Sequence, residues 1–267
     1  MIAMLRRSAA QARYMCLGSL FLLCGFQIVI VGQAAEIQRT QAFARMADLL
    51  PGFLQRGLGS RAMLLASFKG TVSFGYFHPV ACLLVVLMAM YFATEPAHEV
   101  ESGLVDLELA RAVPRSRLLT RSIILAEGFA LTAVLIMAAG TSAGGRLFDA
   151  AGMDMPGLDV RGQMLGNVLA VASCCAGFGL LIASLSKRWM TAYTTVALTT
   201  VVLYLVDFLS IGWRPMRLLN WLSPFHYYPA LSIIAGDAPT GRDLSVLFAA
   251  ASVFIALAYW QFQRRDL

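Results

Sequence analysis

Residues 98–122, HEVESGLVDLELARAVPRSRLLTRS, form one dense block of charge between two long apolar runs. Acidic side chains come first in the block and arginines follow: Glu99, Glu101, Asp106 and Glu108, then Arg111, Arg115, Arg117 and Arg121. An apolar run of about 20 residues is long enough to cross a bilayer as a helix. The block is therefore predicted to connect two membrane-spanning helices, at about residues 76–94 and 122–140.

The composition of the whole chain indicates the same class of protein. Of its 267 residues, 59% are hydrophobic and 13% are charged, about half the usual share of charge in a soluble domain. Because backbone groups in hydrocarbon must be satisfied within their own segment, each span is expected to be a helix. We expect an all-α polytopic membrane protein. Its six predicted transmembrane helices lie at about 14–32, 76–94, 122–140, 164–185, 190–211 and 244–262.

The distribution of lysine and arginine predicts the orientation in the membrane. With the N-terminus inside, eleven of the 21 cationic side chains lie in cytoplasmic segments, and five of the other ten lie in a long first outer loop. Both termini are therefore predicted to be cytoplasmic, with an outer loop at 33–75 and a cytoplasmic loop at 95–121. The basic and apolar N-terminus is interpreted as a retained first span. Within the outer loop, residues 43–54 fit either an amphipathic surface helix or an irregular loop.

The motif content argues against several classes of enzyme. The sequence has no G-x-x-x-x-G-K-[ST] phosphate loop and no H-E-x-x-H zinc motif. Its five cysteines lie within predicted spans and lack metal-binding spacing. We expect no catalytic residue, no metal and no cofactor in this chain. The net charge of +6 follows from the loop arginines, so membrane lipid is an expected partner and nucleic acid is not.

Polar residues within the predicted spans are functional candidates by default. Glu127 lies in the third span and Asp207 in the fifth. Thr195 lies between Thr191 and Thr199 at four-residue spacing on the fifth span. The threonines could line a polar path, but their hydroxyls can also bond the carbonyl four residues back, which is the interpretation we favour. For the two acids, a functional role and a structural pairing remain equally open.

The charged block itself is predicted to contain a short amphipathic helix over 98–117. Val100, Leu104 and Leu107 share one helical face, and Pro114 stops or kinks the helix. Acids at the beginning and arginines at the end suit the dipole of such a helix. A solvated connector explains the arginines, but an apolar face requires a partner groove.

The block resembles the cytoplasmic signature of ABC exporter permeases of the type-2 class. In that family a Glu and a Gly precede a leucine-rich helix and a P-x-S-R turn, which Glu101, Gly103 and the PRSR stretch at 114–117 match. LSPFHYYPAL at 222–231 and FQRRDL at 262–267 are also similar to segments of these permeases. Leu104 and Arg121 depart from the family pattern, which usually has threonine and lysine there.

The resemblance implies a single permease domain over 1–267, with the six-span architecture of type-2 ABC exporters and an unidentified exported substrate. It also implies a separate ABC ATPase subunit, which binds ATP and Mg and receives the charged block as a coupling helix. Two copies of the chain, or this chain and a related permease, would flank a pathway built from spans one, two and five. The residues assigned to coupling are Glu101, Gly103, Leu104, Leu107, Glu108, Pro114, Arg115 and Arg117.

Two alternatives come from other classes of protein. A membrane-anchored assembly factor would recruit partners through the outer loop at 33–75 and would work without an ATPase. An intramembrane enzyme would depend on Glu127 or Asp207, and an amide substitution at either acid would abolish its activity.

Overall fold

The computed structural model describes residues 2–40, 64–65, 67–104, 114–150, 152–210, 212–237 and 240–264. Every regular element among these residues is a helix. Six helical segments are long and apolar enough to cross a membrane. The chain is therefore an all-α polytopic membrane protein with six candidate spans.

Five of the six candidate spans extend beyond the apolar stretches that predict them, and the fifth, Trp189–Ser210, has the predicted length. Polar residues outside the hydrocarbon can continue a helix, whereas hydropathy marks only its apolar middle. The first span is α1, and the second is built from the three consecutive helices α2, α3 and α4. The helices are α1 (Ile2–Thr40), α2 (Phe68–Phe77), α3 (Pro79–Ala93), α4 (Glu95–Glu101), α5 (Ser116–Leu147), α6 (Leu158–Leu185), α7 (Trp189–Ser210), α8 (Ala230–Ala235) and α9 (Thr240–Arg264).

The first connection is shorter than the predicted outer loop at 33–75. Helix α1 continues to Thr40 and α2 begins at Phe68, so both ends of the predicted loop are helical. The possible amphipathic helix at 43–54 lies outside the described residues.

The second span is broken at His78. Pro79 has no backbone N–H and cannot continue the α2 ladder, so it begins α3 instead. The His78 ring lies 5.0 Å from the rings of both Phe26 and Phe74, measured between centroids. The His78 Nδ1 accepts a hydrogen bond of 3.3 Å from the backbone N–H of Val80. This half-buried histidine thus caps the beginning of α3.

Helix α6 is the centre of the bundle. In its most apolar stretch 72% of the residues are buried, against 17% for α7 and α9. It packs against α3, α5, α7 and α9. Gly177 permits the close approach of α9, because a Cβ at this position would lie 3.0 Å from the Ala251 carbonyl oxygen. Gly177 of the fourth span therefore serves packing within the chain, whereas Gly166 has open space around it.

The two ends of the bundle are built from different elements. We call the end that carries α4, the beginning of α5 and the beginning of α7 the charged end. At the opposite end, residues 214–235 form three short 3₁₀ turns and helix α8. Pro224 begins one of these turns and Pro229 precedes α8, so no continuous helix runs through this segment.

Candidate coupling site at the charged end

The predicted coupling residues begin where α4 ends. Glu101 is the last residue of α4, and its Oε2 accepts a hydrogen bond of 2.9 Å from the backbone N–H of Trp189. Gly103 follows with φ of +69°, the left-handed conformation that ends many helices and that favours glycine. Leu104 comes directly after this turn and is half-buried. The prediction of one helix over 98–117 is therefore wrong at its beginning, because the turn at Gly103 interrupts it.

The turn at Gly103 removes the favourable interaction that was predicted between the charges of the block and the dipole of one helix. Glu101 lies at the C-terminal end of α4, and Arg117 lies in the first turn of α5. Each charge has the sign that its own helix dipole disfavours. Glu101 is compensated because it faces the N-terminus of α7, where a carboxylate is favourable. Arg117 is exposed and does not stabilise its own helix, so its position is explained by solvent or by a partner surface.

The predicted turn at Pro114 leads directly into α5. Pro114 is exposed, and its carbonyl accepts a hydrogen bond of 2.9 Å from the backbone N–H of Arg117. Arg115 is half-buried and precedes the first residue of α5. The remaining two predicted coupling residues, Leu107 and Glu108, lie outside the described residues.

A buried ionic cluster lies immediately behind this surface. Arg121 of α5 is only 1% exposed. Its Nη1 donates a hydrogen bond to Glu99 Oε1, and its Nη2 lies 3.7 Å from Glu95 Oε2. The hydroxyl of Ser8 on α1 donates to Glu95 Oε1 over 2.5 Å. We call Ser8, Glu95, Glu99 and Arg121 the Arg121 cluster. It ties α1, α4 and α5 together at the charged end.

Sequence reasoning missed this cluster. It treated Arg121 as one of the positive charges of the cytoplasmic loop, although the side chain is buried. The available signal was the spacing of Glu95 and Glu99, which places two acids on one helical face next to an apolar span. Their partner lies 22 residues beyond Glu99 and could not be identified from that spacing.

The two intramembrane acids have partners from distant parts of the chain. Glu127 Oε2 accepts a hydrogen bond of 2.7 Å from the hydroxyl of Ser173 on α6. Asp207 Oδ1 lies 3.7 Å from His226 Nδ1. Thr195 is exposed on α7, and its carbonyl accepts a hydrogen bond of 2.7 Å from the hydroxyl four residues further on. The contacts of the described residues do not bring these three side chains together, which favours structural pairing.

One stretch of α5 has the letter spacing of a serine hydrolase motif. GTSAG at 140–144 matches G-x-S-x-G, a fact that the expectation of no catalytic motif overlooked. In a hydrolase this motif forms a strand-to-helix turn, but here it lies within a helix, and the Ser142 hydroxyl donates to the Ala138 carbonyl over 3.0 Å. The glycines serve packing, since a Cβ on Gly140 would lie 2.8 Å from the Cys24 carbonyl oxygen of α1.

The described residues also bring no three His, Cys, Asp or Glu side chains together as a metal site.

Comparison with known families gives a match that covers most of the chain. The matching model is the C-terminal domain of the multidrug efflux system permease Rv1217c, over residues 23–263. Comparison with curated proteins found no match, and comparison with solved structures found none either. The matched range contains the complete charged block, and the match agrees with the resemblance to ABC transporter permeases. The chain therefore belongs to this family of efflux-system permeases, as a multi-pass transport protein of the plasma membrane.

Proposed function

We propose that the chain is the membrane-spanning subunit of an ATP-driven ABC exporter and that its residues 101–117 dock on a separate ATPase subunit. That subunit would bind ATP and Mg and would hydrolyse the ATP. The family match supports an efflux permease, and a permease without a phosphate loop requires another source of energy for active transport.

The observation that carries this proposal is the connection between an exposed surface and a buried anchor. Leu104 and Arg117 lie at the edges of the described part of the charged block, and Arg117 projects from the first turn of α5. One turn later in α5, Arg121 is buried against the two acids of α4. A force applied to the surface would therefore reach α1, α4 and α5 together. Rigid-body motion of such coupled elements is a common form of conformational switching.

We further propose that two permease chains assemble around the pathway, either as a homodimer or with a related permease. Helices α1 and α7 present apolar side chains at the surface of the single chain, among them Phe21, Leu198 and Phe208. Such faces suit membrane lipid and suit a second copy equally, since both are apolar environments.

The proposal is tested by co-purification of the tagged chain with the ATPase subunit encoded in a neighbouring reading frame. Two variants change the proposed surface: Leu104→Asp and Arg117→Glu. Disruption of a desolvated interface contact commonly costs about 2 kcal/mol or more, so each variant should retain at least about tenfold less ATPase than the wild type. Arg242→Glu is the matched control, because Arg242 is also exposed but lies at the opposite end of the bundle.

The outcomes separate the proposal from its rivals. Loss of the ATPase in both surface variants, with the permease still eluting as a folded species, supports a coupling surface. Retention of the ATPase in both variants would contradict the assignment of residues 101–117. If no ATPase accompanies the wild-type chain, the assembly-factor alternative becomes the better explanation.

A further inference from the structure

A cavity of about 290 Å³ lies at the charged end, beside the Arg121 cluster. Four different helices contribute to its wall, and two of them belong to the broken second span. The lining includes Ser8 and Gln11 of α1, Tyr91 of α3, Glu95 and His98 of α4, and Trp189 of α7. The volume is near the lower end for small-molecule sites, about 300 Å³.

Aromatic rings form a rigid corner of this cavity. The ring centroids of Tyr91 and Trp189 are 5.7 Å apart, and the ring planes meet at 87°. Tyr193 stacks on the indole at 5.9 Å, and His98 lies 5.7 Å from it. The neighbours hold Trp189 in one orientation. Two aromatic side chains at right angles can present ring surface to one bound group from two directions, an arrangement suited to an organic cation.

Glu95 is the acidic side chain in the described lining of this cavity, and it belongs to the adjacent Arg121 cluster. Glu95 and Glu99 share the single guanidinium of Arg121, and Glu101 contributes a third carboxylate at the backbone of Trp189. Glu95 Oε2 is buried and accepts no hydrogen bond from a described residue. Because two carboxylates share one guanidinium, the Arg121 cluster keeps an excess of negative charge beside the cavity, which favours a positive charge there.

We propose that this cavity binds an organic ammonium group attached to an apolar body, with Glu95 as the counter-charge and Tyr91 and Trp189 as the aromatic walls. Ser8 holds one oxygen of Glu95, and the other oxygen lies 3.7 Å from Arg121 Nη2. Gln11 and His98 are exposed and form the polar rim. The aromatic rings select a positive charge of low hydration, and Glu95 disfavours an anion of the same shape.

The position of the cavity relates it to transport. It lies between α1 and α7, which pack mainly on α5 and on α6 respectively, so its wall includes the first, second and fifth spans. The proposal deepens the proposed function, since it names the chemical class of the transported molecule. An ammonium group could also come from a lipid headgroup, so the test must distinguish a lipid from a free amphiphilic cation.

Direct binding provides the test and requires no ATPase. A chain with Trp213, Trp221 and Trp260 changed to Phe keeps Trp189 as its one tryptophan, and its emission then reports on the cavity. The probe is benzyltrimethylammonium, and neopentylbenzene is the uncharged probe of the same shape. The protein is measured in two series of nanodiscs with the same fraction of phosphatidylglycerol, so that the surface potential is matched; the remaining lipid is phosphatidylcholine in one series and an uncharged glycolipid in the other.

We expect saturable binding of benzyltrimethylammonium and much weaker binding of neopentylbenzene. Glu95→Gln and Tyr91→Leu should each weaken binding of the cation by at least about tenfold, given the usual strength of a desolvated cation–π contact and of a counter-charge. Glu36→Gln is the matched control, because Glu36 is an exposed acid of α1 far from the cavity. Weaker binding in phosphatidylcholine would identify the lipid headgroup as a natural occupant, and equal binding would identify a free cation.

The proposal fails if neopentylbenzene binds as well as the cation. It also fails if the single-tryptophan protein gives no saturable response, or if Glu95→Gln binds like the control. Tyr91→Leu leaves the Arg121 cluster intact, so it keeps the test decisive if Glu95→Gln disturbs folding. Since co-purification with the ATPase is measured separately, failure here leaves the proposed function standing.

Discussion

Substitution of Arg121 by methionine should destabilise the membrane domain severely. Methionine preserves much of the length and apolar stem of arginine, but it removes the positive charge between Glu95 and Glu99. Arg121 is 1% exposed and Glu99 is 4% exposed, so water would not readily replace the lost partner. The variant therefore leaves two carboxylates facing each other in a buried site.

The expected magnitude follows from the burial of the pair. Removal of one partner from a buried ion pair costs about 3–5 kcal/mol, since the remaining charge is left without compensation. Replacement of all the charges together is far less costly for the same reason. We therefore expect Arg121→Met to lose about 3 kcal/mol or more, and the triple variant with Glu95→Gln and Glu99→Gln to recover at least about half of that loss.

Unfolding in detergent, followed by circular dichroism against added denaturing surfactant, measures these differences. Arg117→Met is the matched control, because it makes the same substitution one helical turn earlier at an exposed position. Its effect should stay within about 0.5 kcal/mol. If Arg121→Met is no more destabilising than Arg117→Met, or if the triple variant shows no recovery of stability, the Arg121 cluster does not hold α1, α4 and α5 together.

Two further predictions concern glycines. Gly140→Ala should separate α1 from α5 and lower the stability, because the new Cβ would lie 2.8 Å from the Cys24 carbonyl oxygen. Gly128→Ala is the control on the same helix, where the space is open, and it should stabilise the protein by up to about 1 kcal/mol. Surfactant-induced unfolding of the two variants measures this difference, and equal stabilities would contradict the close packing of α1 on α5 at Gly140. Gly103→Ala should lower the stability by about 1 kcal/mol because φ at this position is +69°. Gly162→Ala is the control, because Gly162 lies in a helix with open space around it, and it should not be destabilising. The unfolding midpoint of Gly103→Ala should therefore be lower than that of Gly162→Ala.

The candidate site was predictable only where its chemistry is local. Pro114 was recognised as a stop or kink because proline restricts its own backbone, whereas Gly103 was assigned only through the family resemblance and its turn was not predicted. The dipole argument failed because it assumed one helix over 98–117, and only the turn at Gly103 shows that the acids and the arginines belong to different helices. Glu127 could not be assigned a partner from sequence, since Ser173 lies 46 residues away.

What the sequence determined by itself is the class of protein and the presence of six spans. Insertion of a helix into a bilayer depends on the transfer of about 20 neighbouring side chains, so it is a property of each segment alone. Only the tertiary structure decided that Arg121 is buried, that Ser8 and Glu95 meet across 87 positions of the chain, and that four helices enclose a cavity with aromatic walls. These features depend on which helices pack together, and hydropathy carries little of that information because the spans are all apolar.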